Sequence, residues 1–428
     1  MGWALAVMLR SRGGEDRDVL IGMDTRISSP KIRDALSEGI ISGGMNAVCV
    51  GVCSTPAVSY LVKKHKYSAG VMISASHNPF YYNGIKIFGP DGYKICDEWE
   101  EKIEETVEKE RMFSANTRGD LKTSKTAINE YISYLVSCFG VSLYGLRIGI
   151  DCANGSCSVS AKRVFEGLGA ECTVIADKPD GRNINDNCGS TNPNRLKELV
   201  IKERLDFGVA FDGDGDRCIA IDEGGREIDG DFILAILGLW FKSEGRLRGN
   251  TIVGTVMSNL GLAKFCEEND IDFVSERVGD RFVLERMIDG GFALGGEQSG
   301  HVILLDHALT GDGQLSAIAL SSYIKKNGKS LLTLARVMKK YPQYLTSITA
   351  DDDDKQSFKS DEVIQGIIHF GEKGLRGNGR LLIRPSGTEP LIRIMAEGES
   401  IEELKKICED TANAIKKRLC ELKTAVRE

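Results

Sequence analysis

The stretch FDGDGDR, Phe211 to Arg217, sets Asp212, Asp214 and Asp216 at alternate positions with Gly213 and Gly215 between them. Glycine admits the left-handed backbone of a tight curl, so the three carboxylates are expected to converge and offer a hard-cation site. A solvated acidic turn is the plainer alternative, but the apolar run GVAF feeding the loop speaks for a buried site. A calcium loop fits in part, with Glu223 twelfth from Asp212, yet Arg217 stands where such a loop needs glycine and strands rather than helices flank it. An aspartyl-phosphate phosphatase also begins with a strand and D-x-D, but its usual Thr or Val is Asp216 here.

Three carboxylates exceed a divalent ion's charge by one, so a further anionic ligand needs additional cations, and Arg217 is adjacent. The run GVMISASHNP places Ser76 and His77 just past a strand-like segment. A phosphate on the Ser76 hydroxyl carries about −1.5 to −2 and could complete a magnesium shell, while Lys86 in NGIKIFG adds positive charge. A hydrolase triad is disfavoured, because neighbouring Ser and His do not readily pair as nucleophile and base and no G-x-S-x-G elbow is present. Of five histidines, two, His77 and His301, fall in these loops. In GGEQSGH, Glu297, Ser299 and His301 stand at alternate positions suited to a polyol. In RPSGTEP, Arg384 offers bidentate phosphate contact and Ser386, Gly387 and Thr388 offer hydroxyl and backbone donors, although alone it reads as a tight turn.

The elements that must position these loops follow an α/β pattern, apolar runs alternating with amphipathic helical stretches, so mostly parallel sheets are expected. Three segments, from Val19, Leu146 and Thr251, each read strand, small-residue turn, helix, and each leads on to a second buried strand that ends in one of the loops above. The order repeats three times. In open α/β sheets ligands lie beyond the carboxyl ends of strands, so stacked copies would aim the loops at one cleft. DEWEEKIEETVEKERM and AINEYISYLVSCFG are expected to be helices closing the first unit, and IDEGGREIDGD to join the second and third. TADDDDKQSF reads as a surface acidic turn into a smaller α+β tail, with one helix, two strands around RPSGTEP and a final helix from about Ser400 to Leu422. The expected borders are 1–141, 142–228, 229–342 and 343–428.

Composition narrows the function. The chain of 428 residues has a length suited to about three domains. With 55 Lys+Arg against 62 Asp+Glu, a net charge of −7 argues against a nucleic-acid surface. No apolar run nears the roughly 18 residues of a membrane span, and MGWALAVMLRSRGG fits neither a secretory signal nor myristoylation. A soluble, cytoplasmic protein with no membrane partner is expected. The 12 cysteines are scattered; the close pairs Cys49/Cys53 and Cys152/Cys157 lack a second pair or a histidine to complete a metal site, so they read as reduced, buried hydrophobes.

Taken together and in this order, SASHNP, DGDGDR, GEQSGH and RPSGTEP resemble the α-D-phosphohexomutase family over nearly the whole chain. ERVGDRFVLE and GGEQSGH look most like the members that act on glucosamine phosphate; action on mannose or glucose phosphates is the alternative, and an inactive sugar-phosphate-binding protein a third. The resemblance implies three similar α/β domains with mixed, mostly parallel sheets and a smaller C-terminal α+β domain around a central cleft. It implies conversion of glucosamine 6-phosphate to glucosamine 1-phosphate through a 1,6-bisphosphate. Ser76 would be the phosphoserine and, with Asp212, Asp214 and Asp216, would hold Mg2+. His77 and Lys86 would assist proton transfer, Arg217 would bind the phosphoserine, Glu297, Ser299 and His301 would contact the sugar, and the loop Arg384, Ser386, Gly387, Thr388 would hold the phosphate that is not reacting. A homodimer is the expected assembly. Family members begin with a strand and a loop like FGTDGIRG, and the first residues here look like the second half of the helix that follows, so the first domain is expected to lack that strand and its arginine. A second departure is Asn192 in CGSTNP, where histidine is commoner.

Overall fold

The computed structural model describes residues 1–13, 17–108, 118–375, 379–386 and 389–425. Contacts divide the chain into two compact units, residues 1–258 with 269–337 and residues 259–268 with 338–428.

The larger unit holds three sheets. The first contains β1 (Asp18–Met23), β2 (Asn46–Val52), β3 (Ala69–Ile73), β4 (Ile85–Phe88) and β5 (Leu121–Thr123), in the order β4-β3-β1-β2-β5. The second contains β6 (Arg147–Asp151), β7 (Glu171–Ile175), β8 (Phe207–Phe211), β9 (Cys218–Asp222) and β10 (Glu227–Ile228), ordered β10-β9-β8-β6-β7. The third contains β11 (Thr251–Thr255), β12 (Asp272–Glu276), β13 (Leu294–Gly296) and β14 (Val302–Leu304), ordered β12-β11-β13-β14. In each, the opening strand lies between two parallel partners, and the last of these pairs antiparallel with the strand that follows it. The threefold repeat is therefore a repeat of topology.

The strands are apolar because both faces are covered: every residue of β3, β8 and β11 is buried. The helix Gly230–Ser243 is apolar almost all round and correspondingly buried; Asp229 starts it by accepting from Phe232 N. Asp312 does the same for the helix Gly313–Asn327, accepting from Leu315 N at 3.0 Å. The acidic helix covers Asp97–Glu108 with only Ile103 buried, as a solvated face requires. No helix among the described residues is long and apolar enough to cross a membrane. The described cysteines are free, and the four in the two close pairs are buried.

The smaller unit carries one antiparallel sheet, β15 (Gln343–Thr349), β16 (Arg380–Pro385) and β17 (Leu391–Glu397), with β17 central. Its core joins Ile348, Phe358, Ile364, Ile392, Ile394, Leu404, Cys408 and Ile415. The described residues of the tail thus form three strands where two were expected. The expected acidic turn is the helix Asp352–Ser360, with a second helix at Glu362–Gly374 and the last at Ile401–Ala425. The physical reason is capping: Asp351 accepts from Asp354 N while Asp354 accepts from Asp351 N, and carboxylates favour a helix N-terminus. Lys423 binds both side chains. Replacing the cap, Asp351→Ala, is expected to speed amide hydrogen exchange over residues 352–355 roughly fivefold and leave exchange in β8 unchanged; unaltered exchange over that turn would show the cap to be idle.

Candidate functional site

Each of the three loops singled out in the larger unit follows the strand that pairs with both the opening strand and an antiparallel neighbour: β3, β8 and β13. Past β3, Ser74 donates to Asp24 Oδ2 at 2.7 Å and accepts from Ser76 N at 2.9 Å. Ser76 takes a left-handed backbone, φ +51°, uncommon for a residue with a side chain. Its hydroxyl donates to Asp212 Oδ2 at 2.6 Å and lies 3.4 Å from His77 Nδ1. The serine and the carboxylate loop are in contact.

Past β8, Asp212, Asp214 and Asp216 are buried, and one oxygen of each lies within 4.8 Å of the others. Gly215 has φ +71°, the expected curl. Gly213 does not; it serves by smallness, since a Cβ there would stand 2.5 Å from Ser76 O and 2.8 Å from Ile184 Cδ1. Two unit charges 4 Å apart interact by roughly 4 kcal/mol at an effective dielectric of 20, so this cluster needs counter-charge. Lys86 Nζ supplies it, 2.6 Å from Asp214 Oδ2 and 3.0 Å from Asp216 Oδ2. Thr55 Oγ1 also donates to Asp214 Oδ2. Arg217 N donates to Asp212 Oδ1 at 3.2 Å, and its Nε lies 4.0 Å from Asp216 Oδ1.

The charges distort one another. Burial, then Asp216 and Asp214, push the Asp212 carboxyl well above its ordinary range against Arg217 and the Ser76 hydrogen bond. Burial works the same way on Asp216, but Lys86, His301 and Arg217 prevail and hold it well below. Lys86 is raised: burial opposes its charge, and Asp214 and Asp216 more than offset that. His77 is lowered by burial and by Arg217 and Lys86, despite Asp216 and Asp214. Asp214 Oδ1 and Asp216 Oδ1 are buried without a hydrogen-bond partner. Two carboxylate oxygens with no hydrogen bond among the described residues, beside a third buried carboxylate, are the donor set a hard divalent cation takes, so the residues fit a metal.

Past β13 the chain makes a hairpin turn into β14. Glu297 N donates to His301 O and Gly300 N to Glu297 O. Glu297 Oε1 accepts from Gly279 N at 3.1 Å, which ties the turn to the start of the helix Asp280–Gly290. Ser299 is exposed and Glu297 half-buried. His301 parts from them: its side chain is only 4 % exposed, with Nε2 accepting from Gly311 N at 3.0 Å and Nδ1 3.8 Å from Asp216 Oδ1. Alternate positions share a face on a strand; here a turn intervenes, and the His301 ring stands beside Asp216 and Gly311. Asp280, 3.6 Å from His301 Nε2 and paired with Lys94, is held at about 2 by these two neighbours although burial opposes it.

In the smaller unit, Arg384 is half-buried near the end of β16. Ser386 is buried; its N donates to Leu391 O and its hydroxyl accepts from Glu389 N at 3.2 Å. Gly387 and Thr388 lie outside the described residues. The site reading missed Asp24, Arg26 and Asn185, which hold the backbone around Ser76. The available signal was D-T-R directly behind an apolar strand, a charge pair at a carboxyl end.

Comparison with known proteins agrees with this arrangement. Family models for Phosphoglucomutase/phosphomannomutase match in order: alpha/beta/alpha domain I over residues 1–113, alpha/beta/alpha domain II over 129–225, alpha/beta/alpha domain III over 229–341 and the C-terminal domain over 345–414. A phosphoglucosamine mutase of Clostridium novyi is 46% identical over 422 residues, 98% of this chain and 94% of that protein. Among solved structures, a phosphoglucomutase/phosphomannomutase family protein from Burkholderia thailandensis superposes with TM-score 0.83 at 22% identity, over 97% of this chain and 92% of that one. An Aspergillus fumigatus N-acetylphosphoglucosamine mutase, in complex with GlcNAc-6P and magnesium, has TM-score 0.65 at 19% identity over 84% and 92% of the two chains. By four matched domains and a full-length relative, the chain belongs to the phosphoglucomutase/phosphomannomutase family.

Proposed function

We propose that the chain interconverts glucosamine 6-phosphate and glucosamine 1-phosphate, the activity carried in the name of its Clostridium relative, with Ser76 as the phosphoserine and a 1,6-bisphosphate as intermediate. The observation that carries this reading is the Ser76 hydroxyl 2.6 Å from Asp212 within a cluster of three buried carboxylates. Phosphoryl transfer asks chiefly for positioning and charge stabilisation. A sugar hydroxyl attacks the phosphorus on Ser76, losing its proton as the bond to Ser76 Oγ breaks; after the bisphosphate turns end for end, the regenerated Ser76 hydroxyl takes the other phosphoryl group back. His77, held below its ordinary range, is suited to accept a proton, and Lys86, held above, to stay charged. Arg217 binds the phosphoserine, and Glu297 and Ser299 contact the sugar.

Asp212, Asp214, Asp216 and the Ser76 phosphate would hold Mg2+, the metal in the Aspergillus complex. When bound it would neutralise phosphoryl oxygens that gain charge in the transfer. Arg384, Ser386, Gly387 and Thr388 are assigned the phosphate that is not reacting. The borders 1–141, 142–228, 229–342 and 343–428 would then separate phosphoserine, metal, sugar and phosphate functions.

Ser76→Ala is expected to bring turnover of either glucosamine phosphate below detection in a coupled assay; full activity in that variant refutes the assignment. Chelation by EDTA is expected to stop the reaction and added MgCl2 to restore it, whereas turnover indifferent to both excludes the metal role. Because the Lys86 ammonium already neutralises the carboxylates of Asp214 and Asp216 and repels a second cation beside them, Lys86→Met is expected to bind Mg2+ about tenfold more tightly in titration calorimetry; weaker binding would contradict the competition. Rates on glucosamine, mannose and glucose phosphates rank the sugars, with glucosamine expected first.

A further inference from the structure

Arg26 lies beneath the serine loop and is 1 % exposed. A guanidinium has five N–H groups, and here all five find oxygen. Nε donates to Asp24 Oδ2 at 2.8 Å. Nη1 donates to Pro79 O at 2.5 Å and Tyr82 O at 3.0 Å, and Nη2 to Ser76 O at 2.9 Å and Asn78 O at 2.8 Å. Four of the five acceptors are main-chain carbonyls between Ser76 and Tyr82. Asp24 completes the clamp: Oδ1 accepts from Arg26 N and from Ser29, while Oδ2 also accepts from Ser74, whose hydroxyl receives Ser76 N. Both backbone polar groups of Ser76 are thus fixed through the Asp24–Arg26 pair, with Asn185 Nδ2 adding a second donor to Ser76 O at 2.9 Å.

A left-handed backbone at a residue with a Cβ persists only where the surroundings impose it. Ser76 has that backbone, and the direction of its hydroxyl depends on it. We propose that Arg26 is a positioning residue for phosphoryl transfer: by gathering the carbonyls of residues 76–82 onto one buried guanidinium it sets the Ser76 backbone and so aims Oγ at Asp212. The inference rests on Ser76 being the reactive hydroxyl. Lysine cannot replace arginine here, since a single nitrogen with three N–H groups does not span five acceptors.

The test compares Arg26→Ala and Arg26→Lys with Leu61→Ala, a buried core change outside the loop, measuring kcat, KM for glucosamine 6-phosphate and melting temperature. A reactive group displaced by about 1 Å can cost 10²-fold in rate. The expected result is kcat about 10²-fold lower in both Arg26 variants, with KM within threefold of the parent and more loss of rate than Leu61→Ala shows for the same loss of melting temperature. Millimolar guanidinium chloride should recover part of the kcat of Arg26→Ala and none of that of Leu61→Ala. If Arg26→Ala fails to fold, Arg26→Lys, which keeps the buried charge, carries the comparison. Unchanged kcat, or rate loss that only tracks melting temperature, overturns the proposal. Ser76→Ala separates the two readings: an active Ser76→Ala removes the reaction itself, whereas an inactive one beside fully active Arg26 variants removes only the role of Arg26.

Discussion

Three buried carboxylates and a serine hydroxyl share one small volume, and their uncompensated negative charge constrains everything around them. Carboxylates at such spacing, shielded from water, cannot all remain ionised without cations. Lys86 and Arg217 approach the cluster, yet Asp214 Oδ1 and Asp216 Oδ1 have no hydrogen-bond partner among the described residues. The carboxyls are driven apart: burial, Asp216 and Asp214 push Asp212 up, while Lys86, His301 and Arg217 hold Asp216 down against its burial. A site in this condition favours added positive charge, and the fold presents it beside a hydroxyl able to carry phosphate.

The architecture meets that constraint through repetition. One βαβ pattern, used three times, ends in a loop after each of β3, β8 and β13, and these loops differ in length as well as in residues. The first loop supplies the hydroxyl, the second the carboxylates and the third a hairpin turn with His301 behind it. The close approach of the first two depends on Gly213 having no side chain. The third is coupled to the second by His301 beside Asp216 and to the helix Asp280–Gly290 by Glu297 accepting from Gly279 N. Position of the reacting groups is therefore a property of the backbone in all three repeats.

Much of this was legible in the sequence, and the exceptions have physical causes. Apolar runs marked the buried strands of the repeats because parallel sheets are covered on both faces, and D-G-D-G-D-R announced the cluster because three acids at alternate positions directly after an apolar strand must lie close together. The acidic stretch at Asp351 was misread because the same residues that solvate a turn also cap a helix; the carboxylate at Asp354 decided between them. β15, QYLTSIT, has no regular alternation and buries only Ile348 fully, leaving a weak signal. D-T-R marked Arg26 as half of a charge pair, but its other partners are carbonyls, and nothing in a side-chain pattern reports where main-chain oxygens converge.

The central claim is that Ser76 is the atom through which phosphate passes. Its most direct measurement is peptide mass spectrometry of the full chain after brief exposure to glucosamine 1,6-bisphosphate, and again after addition of excess glucosamine 6-phosphate. The account predicts one phosphoryl group per chain, located on Ser76 and discharged by the monophosphate. Phosphate on a different residue, or no phosphoenzyme in a preparation that turns over, would contradict it.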